Sequence, residues 1–234
     1  MKRLLSLLAI AAAAVSCVIN INGVGVPVPG NGVSAEKNID VKDFTGITVA
    51  GATDVIYVQD LLETSVVLRT DENLLDLYEI EAVDGNLRIA PVKGKTPMPK
   101  TDVVVTVHSP AINSVVINGS GDLSIPSTLA IPEDFSFKVN GSGDCKANLV
   151  MCRSFEAAVS GSGDIEVESL TAGTTTIRIN GSGDADLGCN AAGDIDVRIN
   201  GSGDVKLHGL ARSLTTKING SGDVNSGGLR LTGI

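Results

Sequence analysis

The residues with most capacity for chemistry in this sequence are carboxylates, and they recur. Gly-Ser-Gly-Asp occurs six times, opening at Gly119, Gly141, Gly161, Gly181, Gly201 and Gly220 and closing on Asp122, Asp144, Asp164, Asp184, Asp204 and Asp223. Glu166, Glu168, Asp186, Asp194 and Asp196 lie among them. Two carboxyl groups flanking a sugar suit glycoside hydrolysis, one giving a proton while the other acts as base or nucleophile. These acids recur with the repeat, however, as a solvated face does, and residues 160–234 hold no aromatic ring to stack a sugar on. The motif also resembles part of a calcium β-roll. That roll needs its ligands about every nine residues, whereas here the steps are 22, 20, 20, 20 and 19. An ion in every coil is not expected.

Other chemistry is mostly excluded. Gly94-Lys95-Thr96 echoes a phosphate loop, but Ile89 stands where its upstream glycine belongs. Gly-Ser-Gly lacks the third glycine of a dinucleotide fingerprint. His108 and His208 have no metal-ligand spacing; the first is expected to end a strand and the second to lie at a coil corner. No cofactor and no metal are implied. The net charge of −9 argues against nucleic acid, which needs a basic stripe, and against electrostatic docking on anionic lipid.

The N-terminus reads as a targeting segment. Lys2 and Arg3 precede an apolar run, Leu4 to Val15, that is short for a membrane span, and Ala14-Val15-Ser16 leads into Cys17. This arrangement resembles a bacterial lipoprotein signal, with residues 1–16 removed and Cys17 lipidated; the alternative is an ordinary signal peptide with a coincidental cysteine. Losing Lys2 and Arg3 leaves 16 basic and 27 acidic residues, a charge of −11. Residues 17–37, rich in Gly and Pro, read as a flexible tether, with one folded domain over 38–234. Cys145, Cys152 and Cys189 are an odd set that cannot pair completely, so they are expected to be small packed residues.

The elements that must position the carboxylates follow from the repeat. In Thr176-Ile177-Arg178-Ile179-Asn180-Gly181-Ser182-Gly183-Asp184-Ala185-Asp186-Leu187, Ile177 and Ile179 point one way and Arg178 the other; beyond the corner, Ala185 and Leu187 oppose Asp186. One such coil cannot bury its own inner face, but a stack of coils can. Asn118, Asn140, Asn180, Asn200 and Asn219 precede the motif, with Ser160 the exception. In register their amides would form a ladder; the alternative is an Asn-Gly turn in antiparallel hairpins. Val49-Ala50-Gly51-Ala52-Thr53-Asp54 reads as a degenerate seventh copy. Upstream, 47–49, 54–58, 65–69, 87–90 and 102–107 read as strands, Glu72 to Leu77 as one helical turn and Lys93 to Lys100 as a loop. Leu229 to Ile234 is expected to cap the final sheet edge.

The aspartate row poses an electrostatic problem, since charges one coil apart repel by roughly 1 kcal/mol in water. Three offsets are open: N–H groups of each aspartate's own turn, a basic row at Lys138, Arg178, Arg198 and Lys217, or a cation between coils near Asp144 and Asp164.

The Ile/Val-Asn-Gly-Ser-Gly-Asp repeats, with Val49–Val58, Asp71-Glu72-Asn73-Leu74-Leu75 and Val83-Asp84-Gly85-Asn86-Leu87-Arg88-Ile89 upstream, resemble the putative auto-transporter adhesin, head GIN domain family across about 39–223. The resemblance implies an all-β, right-handed parallel β-helix with coils of ~20 residues, and no catalytic residues. There is no room for a translocator barrel, so an autotransporter is not expected. The function expected is that of a non-catalytic, lipid-anchored cell-envelope module, adhesin-like or scaffolding. Its partner is an unnamed envelope or extracellular glycan or protein, and its place the periplasmic side or the cell surface. The alternative is a carbohydrate-active β-helix lyase or hydrolase.

Overall fold

A computed structural model describes residues 25–233; Cys17 and the targeting segment lie outside them. The protein is a parallel β-solenoid of about six turns with about 20 residues per turn. Along the chain come β1 (Val26–Pro29), β2 (Ser34–Asn38), β3 (Gly46–Gly51), β4 (Asp54–Gln59) and β5 (Ser65–Asp71). A 3-10 turn (Glu72–Leu77) leads to β6 (Tyr78–Val83), β7 (Asn86–Pro91), β8 (Lys95–Met98) and β9 (Val104–Ser109). The regular coils are β10 (Ser114–Gly119), β11 (Leu123–Ala130), β12 (Phe135–Gly141), β13 (Cys145–Gly161), β14 (Ile165–Gly181), β15 (Ala185–Ala191), β16 (Asp194–Gly201), β17 (Val205–Ala211), β18 (Ser213–Gly220) and β19 (Val224–Leu231).

The alternation of apolar and polar residues fixes the register. On the face before each corner, Val49, Ile117, Val139, Val159, Ile179, Ile199 and Ile218 stack in parallel register. On the face after it, Val55, Leu123, Cys145, Ile165, Ala185, Val205 and Val224 do the same. The side chains of Ile177 and Ile179 are fully buried and Arg178 is half-buried on the outer face, as the alternation requires. Large and small residues compensate along a row: Phe137 lies beside Ala157, and Phe135, Phe137 and Phe155 form an aromatic cluster with the first pair 4.8 Å apart, edge to face. Cys145 is a buried member of the second row and Cys189 is buried further along β15, and burial raises the Cys189 and Cys152 thiols to about 11. Thiols held protonated in this way are poor nucleophiles.

The degenerate copy is a true coil. Val49, Ala50 and Gly51 pair with Ile117, Asn118 and Gly119, so residues separated by 68 in sequence are adjacent coils. The 54 residues between, 60–113, close the N-terminal end. There β7 and β9 add one parallel layer beneath β3 and β4, and antiparallel β6, β5 and β2 lie outside it. Strand β6 does alternate, with Tyr78, Ile80 and Ala82 on the packed side and Glu79 and Glu81 exposed, a period-two signal that the sequence reading passed over.

Three expectations need correction. The tether is ordered from Val26: β1 pairs with β8 in a separate two-stranded ribbon, and β2 pairs with β5. Prolines are tolerated there because the ribbon is all edge. Lys93 to Lys100, read as a loop, therefore contributes a strand. The N-terminal segment is fastened by Asp71, a fully buried carboxylate that accepts from the N–H groups of Gly32, Lys100 (2.9 Å) and Thr101 (3.0 Å) and from the Thr101 hydroxyl. Gly30 passes this carboxylate so closely that a Cβ would meet it at 2.5 Å. Finally, Leu229–Leu231 is no cap but part of β19, paired with β17 as the outermost layer. Ile218 is consequently 40% exposed where Ile199 is fully buried.

Candidate functional site: an aspartate ladder and its groove

The corner that carries the aspartates is held by backbone. The Gly161 carbonyl accepts from both Ser182 N–H (2.9 Å) and Gly183 N–H (3.2 Å) of the next coil, and the same pair recurs at every corner from Gly51 to Gly201. The chain can approach this closely only without side chains: a Cβ on Gly181 would lie 2.2 Å from that carbonyl, at φ +146°. Beside it runs an amide ladder, Asn140 to Asn118, Asn200 to Asn180 and Asn219 to Asn200, each at 3.0 Å. Ser160 interrupts it.

The aspartates form a second ladder. The N–H of Asp122 donates to Oδ1 of Asp54, Asp144 to Asp122, Asp164 to Asp144, Asp184 to Asp164, Asp204 to Asp184 and Asp223 to Asp204, at 2.6–3.0 Å. The donor is thus in the next coil, not in the aspartate's own turn. The basic row does not serve the aspartates: Lys138 and Arg178 both pair with Glu156, and Arg198 with Asp196, while Lys217 makes no ion pair among the described residues. Among the described residues no group of three or more potential ligands converges on a metal position. Burial raises the Asp144 carboxyl; the N–H of Asp164 opposes this, and the like charges of Asp122 and Asp164 add to it.

A second row borders the ladder two residues further on: Lys146, Glu166, Asp186 and Lys206. Lys146 pairs with Glu166 and Lys206 with Asp186, each at 2.7 Å. Between the rows lies an open groove of about 530 Å³, floored by Ile165, Ala185 and Val205. A hollow of about 360 Å³ beside Asp54, Asp122 and Asp144 continues it toward the N-terminal end. The carboxylates singled out in the sequence divide. Asp164, Glu166, Asp184 and Asp186 gather here, whereas Asp194 binds Arg212 and Ser213 on another side and is held at about 2 by them. His208 sits within β17, not at a corner, its Nδ1 3.6 Å from Asp186. The second row follows from the period of two after each corner, a signal present in the sequence; its lysine–carboxylate pairing across coils is visible only with the register.

A rod with a conserved corner geometry, two internal ladders and a polar groove along one face is the setting in which kinship can be judged. The family model described as putative auto-transporter adhesin, head GIN domain, matches residues 43–229. The chain belongs to this family. Its fold is that of a putative adhesin from Bacteroides fragilis (19% identity, TM-score 0.71, 85% of this chain and 99% of that one). A putative adhesin from Parabacteroides merdae is alike (23%, 0.69, 86% and 99%), as is a putative lipid binding protein from Parabacteroides distasonis (20%, 0.70, 85% and 98%). No curated protein matches the chain. The family and two of these three neighbours carry adhesin names, which point to an external partner and to an envelope or surface location.

Proposed function

We propose that this family member is a non-catalytic, lipid-anchored envelope module that offers its groove to a partner. Residues 1–16 would be the signal and Cys17 the lipidated terminus, with a tether shortened to the few residues before Val26. The observation that carries the binding reading is the carboxylate-bordered groove on a rigid face. Each ladder aspartate commits Oδ1 to the next coil, so its position is fixed before any ligand arrives, and preorganised acceptors bind at lower entropic cost. A chain of hydroxyls or cationic groups suits such a row of acceptors. The same gathering of Asp164, Glu166, Asp184 and Asp186 is what a carbohydrate-active enzyme would need, so the test scores both. A panel of envelope glycans and proteins should yield a ligand that is bound and returned intact, with Glu166→Gln/Asp186→Asn weakening binding. Product formation lost in that variant would establish the enzyme instead. Anchoring is tested separately: Cys17→Ser should abolish acyl incorporation and move the protein out of the salt-washed membrane fraction. Retention there would refute lipidation.

A further inference from the structure

The ribbon of β1 and β8 stands apart from the solenoid sheet, and its surface composition differs from the acidic body. Val26 and Met98 are 60% and 54% exposed, on a ribbon whose strands pair only with each other. Lys93, Lys95 and Lys100 surround them, all exposed and without an ion pair among the described residues. The hollow at the ribbon's base, about 590 Å³, is lined by Gly25, Arg88, Lys93 and Lys95 among others and by no carboxylate. Arg88 there pairs with Glu79 (3.2 Å) and Glu81 (3.9 Å), so Lys93 and Lys95 supply the positive charge left unpaired among the described residues, in a chain of net charge −9.

We propose that this ribbon is a membrane-contact surface that seats the protein on phospholipid, its lysines meeting headgroup phosphates and Val26 and Met98 entering the interface. Two features select lipid as the occupant. One is charge: clustered lysines beside exposed apolar side chains match a surface that is anionic outside and apolar beneath. The other is chain length, which rests on the anchoring reading above. Only seven residues separate Cys17 from Gly25, and the eight steps between them reach at most about 28 Å even when fully extended. An acylated Cys17 therefore holds Gly25, which packs against Lys95 and Thr96, close to the headgroups. The acidic solenoid, repelled by the same leaflet, would stand away from it with its groove exposed.

The test uses the mature chain from residue 17 carrying Cys17→Ser, which has neither the apolar signal nor an acyl group, floated with vesicles of phosphatidylcholine alone or mixed with phosphatidylglycerol. Flotation with the anionic vesicles at low salt, falling at high salt, is expected. Lys93→Glu/Lys95→Glu/Lys100→Glu should weaken it by at least about a hundredfold, since each lysine lost near an anionic surface contributes roughly fivefold and each new glutamate is repelled as well. Val26→Ser/Met98→Ser should weaken it less and leave its salt dependence intact. Lys138→Glu/Lys146→Glu/Lys206→Glu makes the same charge change on the solenoid and should leave flotation nearly unchanged; melting curves verify that every variant is folded. No preference for anionic vesicles, or equal loss from both triple variants, would overturn the proposal. Neither result bears on Cys17 acylation, which the fractionation experiment reads by itself.

Discussion

Gly181→Ala should be among the most damaging single-methyl additions in this protein, and the cost can be assembled from the corner geometry. The new Cβ would lie 2.2 Å from the Gly161 carbonyl oxygen, a backbone atom that cannot swing aside. The φ of +146° adds about 1–3 kcal/mol for any non-glycine residue. Relieving the clash pushes the coils apart where Gly161 O accepts from Ser182 and Gly183, and each of these bonds is worth about 1 kcal/mol net. The total is about 3–5 kcal/mol, or roughly 6–20 °C in melting temperature for a domain of this size. Gly85→Ala isolates the dihedral: its φ is +76°, and nothing lies within 4 Å of its Cβ position. That variant should lose only about 1 kcal/mol, or roughly 2–4 °C. Thermal melts of the two variants decide the matter. If Gly181→Ala melts with Gly85→Ala, coil approach is not what requires glycine at the corner.

Ile179→Asp should cost several kcal/mol by burying an unpaired charge, and Arg178→Asp under about 1 kcal/mol, because only the first faces the core; equal melting temperatures would refute the in–out assignment. Asp184→Asn keeps an oxygen for the N–H of Asp204 and removes one of a row of like charges, so stability should change by less than about 1 kcal/mol. Chelator should leave the melting temperature of the parent unchanged, and a large drop restored by calcium would make the row a metal site. Burial acts to raise the Asp71 carboxyl, but the N–H groups of Thr101, Gly32 and Lys100 and the Thr101 hydroxyl outweigh it and hold it at about 2. Its folded value lies below the unfolded one of about 3.9. The clamp's contribution is therefore complete above about pH 4 and lost as pH falls through about 2. Pepsin cleavage within 26–38 should rise over that interval in the parent, and in Asp71→Asn it should already be high at the upper end; identical profiles would remove Asp71 as the fastener.

The coil interior was legible because period-two alternation is a local property: Ile177, Ile179, Ala185 and Leu187 declare their side of the sheet without a neighbour. The Gly51 coil was legible for a similar reason, since its Val-x-Gly-x-x-Asp skeleton survives the loss of Asn and Ser. What sequence could not supply was anything decided between coils. Whether Asp184 accepts from its own turn or from Asp204 depends on stacking offset, and whether Arg178 serves the aspartates or Glu156 depends on what the preceding coil places opposite it. The N-terminal ribbon was hidden by its prolines, which argue against strands in a sheet interior but not in a pair made only of edges.

The insertion between Gln59 and Ser114 also sets an order in time. From Asn140 onward each coil docks on one synthesised about 20 residues earlier, whereas the Asp122 coil must find the Asp54 coil across 68. Closing the longer loop costs about 1 kcal/mol more. The regular repeats can nucleate among themselves and propagate, each new layer meeting an edge already in register. The interface that joins them to the Asp54 coil is thus the slow one.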